Sequence, residues 1–288
     1  MSGIISHSIR NIIPFLIGVF IAVLLYLIVG WWGFWIIFPW IGFSISAGMF
    51  LRSNLKGRKR LIGRKLSILM ILPCLLLFVP IVNSENFQLE GVILIVLVGF
   101  LNKGFIHFAI AKIFGPLIWG RGFCGWACWT AAVFDWLPIK SQAKNISGKY
   151  KNLRYLTLIL SIVIPVYLVF VLNYNVREDY IYKKELYWML TGNAIYYLLG
   201  IPLAFIKSDK RIFCKILCPV SLVMMPSSRL SLIKIKPKQG ECIECGNCNR
   251  ICPMGIDVMS YIRNKRTINH PECILCTDCR IVCPTKAL

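Results

Sequence analysis

Eight cysteines fall between residues 242 and 283 in two runs of one pattern, Cys242-x2-Cys245-x2-Cys248-x3-Cys252-Pro253 and Cys273-x2-Cys276-x2-Cys279-x3-Cys283-Pro284. The x2 spacings let three thiolates of a single tight loop reach three iron corners of one cubane. The fourth cysteine lies on the following helical turn, points away and completes the other cluster. This reading groups Cys242, Cys245 and Cys248 with Cys283, and Cys273, Cys276 and Cys279 with Cys252, and it predicts two [4Fe–4S] clusters. Each proline ends its ligand loop and removes a donor where the chain turns. Zinc is the other reading, but it needs no crossed fourth cysteine, and its Cys-x2-Cys pairs usually stand further apart.

Four further cysteines form two pairs, Cys124/Cys128 and Cys214/Cys218, and only Cys74 stands alone. Spacing of i, i+4 places both sulfurs of a pair on one helix face. The pairs are embedded in a repeat, Arg121-Gly-Phe123-Cys124-x3-Cys128 and Arg211-Ile-Phe213-Cys214-x3-Cys218. Two parallel repeats about an axis along a membrane normal would bring the pairs together as a four-thiolate site. Soft thiolates suit a third metal centre, whether an iron–sulfur cluster, zinc or cuprous copper. Redox-active dithiols are the alternative, with Arg121 and Arg211 favouring the thiolate form. The plainest reading is four buried cysteines acting as small apolar residues.

The elements that must position these cysteines are apolar. The 288 residues are 57% hydrophobic, with a mean hydropathy of +0.69, well above the roughly 45–50% of soluble domains. A spanning helix needs about 20 apolar residues, and six runs qualify: Ile12–Val29, Phe34–Leu51, Leu66–Val82, Gly91–Trp119, Tyr155–Leu172 and Leu186–Ile206. The first run lacks a small-residue cleavage site and reads as an anchor. Trp31 and Trp32 sit where an aromatic belt is expected. Arg52–Lys65 holds seven basic residues, Arg121–Arg154 six and Lys207–Lys238 eight, the last against the single acid Asp209. These flanks follow every second helix, so they share one side, which the positive-inside rule makes cytoplasmic. Both termini are then inside, helices 3–4 and 5–6 are the repeated hairpins, and helices 1–2 are an added one.

The formal charge of +21 is thus a matter of topology, with anionic lipid headgroups as its counter-surface and no nucleic acid implied. The expected architecture is an α-helical polytopic membrane domain over 1–240 and a small α+β ferredoxin domain over 241–288. Six basic and five acidic residues leave that second segment nearly neutral. Its anionic clusters suggest docking against the basic inner loops, with Lys56, Arg58 and Arg60 as the partners. Lys103, His107 and Lys112 interrupt the fourth run. Lys103 and His107 share a face and suit a quinone headgroup or a proton path, against a snorkelling lysine and a hydrogen-bonded histidine. Haem is disfavoured, because His7, His107 and His270 are the only histidines and no Cys-x-x-Cys-His occurs. No phosphate-binding glycine loop or Ser–His–Asp arrangement suggests a hydrolase.

Taken together, the hydrophobic helices, the segments Gly120-Arg-Gly-Phe-Cys-Gly-Trp-Ala-Cys128 and Arg211-Ile-Phe-Cys-Lys-Ile-Leu-Cys-Pro219, and Cys252-Pro-Met-Gly-Ile-Asp257 resemble the NapH/NosR-type membrane ferredoxins. They are also similar to the copper-handling ferredoxins of cytochrome oxidase assembly. The resemblance implies quinol oxidation and electron delivery to a redox protein partner at the cytoplasmic membrane. The second type implies instead a factor that reduces a metal or thiol through Cys124, Cys128, Cys214 and Cys218. Two features depart from the pattern. Trp129 stands where the first motif usually has proline, and the external loops are too short for a flavin-bearing outer domain.

Overall fold

The computed structural model describes residues 2–83, 86–99, 103–141, 146, 148–174, 184–238 and 242–288, without the side chains of 2–10, 83, 103 and 149. The roles weighed for the side chains of His7 and Lys103 therefore lie outside the described residues.

Among the described residues, five helices are long and apolar enough to cross a membrane, within Asn11–Val29, Phe34–Asn54, Gly57–Val82, Leu153–Phe170 and Lys184–Lys207. Their outward faces carry large bare side chains, among them Leu27, Leu198 and Ile206, each more than 70% exposed. Apolar area on that scale is foreign to the surface of a soluble monomer. Inward, Ser2–Val29 packs along Phe34–Asn54, which packs on Leu61–Pro73. The second of these contacts is close: a Cβ on Gly48 would lie 2.5 Å from the Gly63 carbonyl oxygen, and one on Gly63 would lie 2.3 Å from that of Gly48. Small residues let helix backbones approach in this way.

The expected fourth span is broken. Leu89–Leu97 gives way to a turn at Val98 and Gly99, whose φ of 69° is left-handed, and another helix starts at Lys103. A π turn over Ala109–Phe114 follows, then a last turn at Gly115–Trp119. Only glycine enters the left-handed region without a steric penalty, so the run of apolar residues overstated the continuity of the helix. The third span also loosens into a π turn, Cys74–Phe78, directly after Pro73, which lacks the amide a regular turn needs.

The C-terminal segment is three short helices, Asn247–Ile251, Val258–Arg263 and Asp278–Ile281, joined by cysteine-bearing loops. Its core gathers Ile256, Val258, Ile262, Ile268, Ile274 and Leu288 with the cysteines. The β component expected here reduces, among the described residues, to one antiparallel bridge between Ile235 and Ile268. Pro237 stands two residues on and has no N–H to lengthen the ladder.

Candidate metal centres

The second cysteine run lies against the helical body. Cys252, Cys273, Cys276 and Cys279 line one cavity, closed by Ile235, Met254, Ile256, Val258, Ile268 and Ile274. Three cysteines of one run and the fourth of the other thus face one space. Burial pushes the Cys273 thiol up to about 11 and raises those of Cys276 and Cys279. Free thiols here would stay protonated, whereas a bound metal displaces the proton. The first run is more open. Cys248 is buried, Cys242 and Cys283 are half-buried, and Cys245 is exposed. The helices Asn247–Ile251 and Asp278–Ile281 pack together and hold Cys283 in the same core as Cys242 and Cys248.

The two Cys-x3-Cys pairs do not sit on continuous helix. Gly122–Trp126 and Ile212–Ile216 each end before the second cysteine. Cys128 (φ −74°, ψ 116°) and Cys218 (φ −70°, ψ 111°) are instead extended residues that cap the next helix. For Cys218 the cause is Pro219, which bars the helical conformation to the residue before it. Cys128 adopts the same geometry in front of Trp129. The Phe123 carbonyl accepts from Ala127 and Cys128 at 2.9 and 3.0 Å, and the Phe213 carbonyl accepts from Leu217 and Cys218 at the same two distances. The missing proline therefore leaves the equivalence of the two loops intact.

All four sulfurs lie within electrostatic reach of one another, since Cys214 and Cys218 each feel Cys124 and Cys128. Burial raises the Cys214 thiol to about 12 even with Arg211 and Arg121 nearby. Cys128 and Cys218 shift the same way, burial first. The arginines do pull toward thiolate, as expected, but burial outweighs them at Cys214 and Cys128. Arg121 donates to Glu272 at 2.5 Å, and Arg211 donates to Asp135 at 2.6 and 2.9 Å.

Lys112 is a further group that the sequence underweighted. It is 4% exposed, not snorkelling. It donates to the Phe87 carbonyl at 3.3 Å and lies over the rings of Trp129 and Phe108 at 4.6 and 4.7 Å. Cys128, Cys218 and Cys124 are within its electrostatic reach. Three buried cations, Lys112, Arg121 and Arg211, thus surround the four sulfurs, a setting that suits an anionic centre. His107 is buried between Phe38 and Phe87, and neither ring nitrogen has a hydrogen-bond partner among the described residues.

Docking of the C-terminal segment on the basic inner loops follows the expected sign but uses other residues. Arg52 donates to Asp278 at 2.5 Å and to the Cys276 carbonyl at 2.7 Å. Arg64 pairs with Asp278 at 3.4 Å and Asp135 at 2.7 Å. Glu272 takes Arg154 at 2.7 Å as well as Arg121. Lys56 and Arg58 are exposed, and Arg60 is turned to the Arg52 carbonyl. The available signal was acid scarcity: Asp135 is the single acid of its basic flank. Beneath these ion pairs the loops touch directly. Trp126 donates to the Leu275 carbonyl at 3.0 Å, and a Cβ on Gly125 would lie 2.1 Å from the Ile274 carbonyl oxygen.

Comparison with known proteins agrees with this geometry. Residues 241–288 match the model of a 4Fe-4S dicluster domain, and residues 101–142 and 193–238 match that of a 4Fe-4S binding domain. The second match covers both Cys-x3-Cys loops. The chain is similar to two uncharacterized proteins of Methanocaldococcus jannaschii. It is 27% identical to MJ0749 over 164 residues, 53% of this chain and 59% of that protein. It is 28% identical to MJ0750 over 189 residues, 59% of this chain and 75% of that protein. The chain thus spans less than two thirds of the length of the first of these relatives. No solved structure matches it. The motifs and matches define an iron–sulfur protein with an electron-transfer role, and its five long apolar helices are compatible with a multi-pass membrane protein.

Proposed function

We propose that the chain is a NapH/NosR-type membrane relay that exchanges electrons between a quinol pool or cytoplasmic donor and a respiratory redox protein. The observation that carries this reading is the close approach of Gly125 to the Ile274 carbonyl and the Trp126 indole donating to that of Leu275, which seats one cysteine set directly on the other. In this reading Cys252, Cys273, Cys276 and Cys279 hold one cubane and Cys242, Cys245, Cys248 and Cys283 the other. Cys124, Cys128, Cys214 and Cys218 hold a third centre. Bound clusters supply one-electron transfer at potentials set by hydrogen bonds, charge and burial. The chain's own residues enclose them, exclude water and fix their separation. The basic flanks support a cytoplasmic placement of the C-terminal segment.

The competing reading, reduction of a metal or thiol for enzyme assembly, requires sulfurs that meet a partner. Cys214 is buried, and Cys124, Cys128 and Cys218 are only half-open, so the relay is the better supported. Anaerobic purification with iron and sulfide analysis and EPR tests it. Three cubanes give about twelve irons per chain, and Cys214→Ser with Cys218→Ser lowers the count to about eight without altering the ferredoxin-type signals. Zinc in place of iron at the C-terminal cysteines would sink the proposal.

A further inference from the structure

The C-terminal segment divides its charges unevenly between two faces. Of its acids, Glu272 and Asp278 are buried against Arg52, Arg64, Arg121 and Arg154 of the helical body. Its six basic residues, Arg250, Arg263, Lys265, Arg266, Arg280 and Lys286, are all exposed. The exposed acids among the described residues are Glu244 and Asp257, and Glu244 is paired with Arg263 at 2.5 Å. A segment nearly neutral in sequence therefore presents a basic outer face once seated.

The cysteine loops divide in the same way. Around Cys276 the backbone is covered, with Arg52 on its carbonyl and Trp126 on that of Leu275. Around Cys245 it is open: the thiol is exposed and the neighbouring Ile243 is 61% exposed. The Glu244–Arg263 pair ties this loop to the end of helix Val258–Arg263, and Lys265 and Arg266 follow in the next turn. An open metal-ligand loop with a bare apolar residue and a basic surround has the make-up of a transient protein interface, in which charge steers and orients the encounter.

We infer that the face around Cys245, Ile243, Lys265 and Arg266 docks a soluble electron-carrier protein with an acidic surface. The inference rests on the relay reading and adds the docking side and the charge of the partner. Electrons pass between the covered loop near the helices and the docked carrier by way of the open loop.

The test uses the full cluster-loaded chain in nanodiscs of neutral lipid. Binding of an acidic plant-type ferredoxin and of basic cytochrome c is measured by interferometry across ionic strength. The acidic probe binds and weakens steeply with salt. Lys265→Glu with Arg266→Glu lowers its affinity about tenfold at low salt, and Lys140→Glu, a reversal at an exposed base elsewhere, changes it by less than about twofold. The docking surface is overturned if the double variant binds as wild type, if Lys140→Glu loses as much, or if cytochrome c binds more tightly. Iron content and EPR on the same samples report on the relay separately. Clusters intact with unselective binding would remove the docking face alone, and selective binding without clusters would remove the relay alone.

Discussion

Asp135 accepts from Arg64 at 2.7 Å and from Arg211 at 2.6 and 2.9 Å, with all three side chains less than 5% exposed. Removing one member of such a set leaves buried charge uncompensated, which costs about 3–5 kcal/mol. Asp135→Asn is therefore expected to lower thermal stability by that order, measured on anaerobic preparations, whereas loss of the exposed Glu244–Arg263 pair should be nearly silent. Gly125 acts through volume instead. A methyl group 2.1 Å from the Ile274 oxygen meets backbone that cannot turn aside. Gly125→Ala is expected to cost about 1–3 kcal/mol and to raise amide exchange across Ile274–Cys276 while leaving the total iron unchanged. Glu272 adds a pH dependence. Burial pushes its carboxyl up, but Arg121 and Arg154 pull harder, and it sits below its ordinary value of 4.5. A depressed carboxyl stabilises the seated state above the ordinary value and loses that contribution as pH falls through the lowered one. Protection of the Cys273 loop should therefore hold to below pH 4.5 and then fail, and Glu272→Gln should weaken it at pH 4.5 and above and flatten that acid limb.

At the scale of elements, the C-terminal ends of the first two long helices were legible within a few residues, because glycine or basic stops mark them locally, whereas the first helix begins at Ser2 and not at Ile12. The Cys-x3-Cys loops were read as helix since i, i+4 spacing looks the same whether or not the helix continues. Pro219 signalled the extended Cys218, but nothing local marked Cys128, whose geometry is set by the Phe123 carbonyl accepting two amides. That account yields a prediction. Pro219→Ala should keep iron content and change stability by less than about 1 kcal/mol, because the twin loop holds its shape without proline. The broken fourth span was missed for the opposite reason, a single Gly99 at positive φ inside strong hydropathy.

Across the whole molecule, the dicluster character of residues 241–288 was readable because cysteine spacing within a loop is local. The seating of the C-terminal segment was not. Its ion pairs join residues as far apart as Arg52 and Asp278, 226 positions along the chain, and composition shows only that bases are plentiful. Burial also decides how the seat responds to salt. Pairs removed from water are screened far less than surface ones, so the segment should stay protected from exchange at ionic strengths that abolish attraction between its exposed face and a soluble protein.

The backbone seat between Gly125 and Ile274 also bears on kinetics. A module clamped by carbonyl contacts and buried charge is held in place among the described residues, unlike a tethered carrier that swings between sites. On the proposed relay and docking face, arrivals of the carrier would govern traffic, so turnover should climb with carrier concentration below saturation and slow with solvent viscosity, without the limit that a gating reorientation would impose.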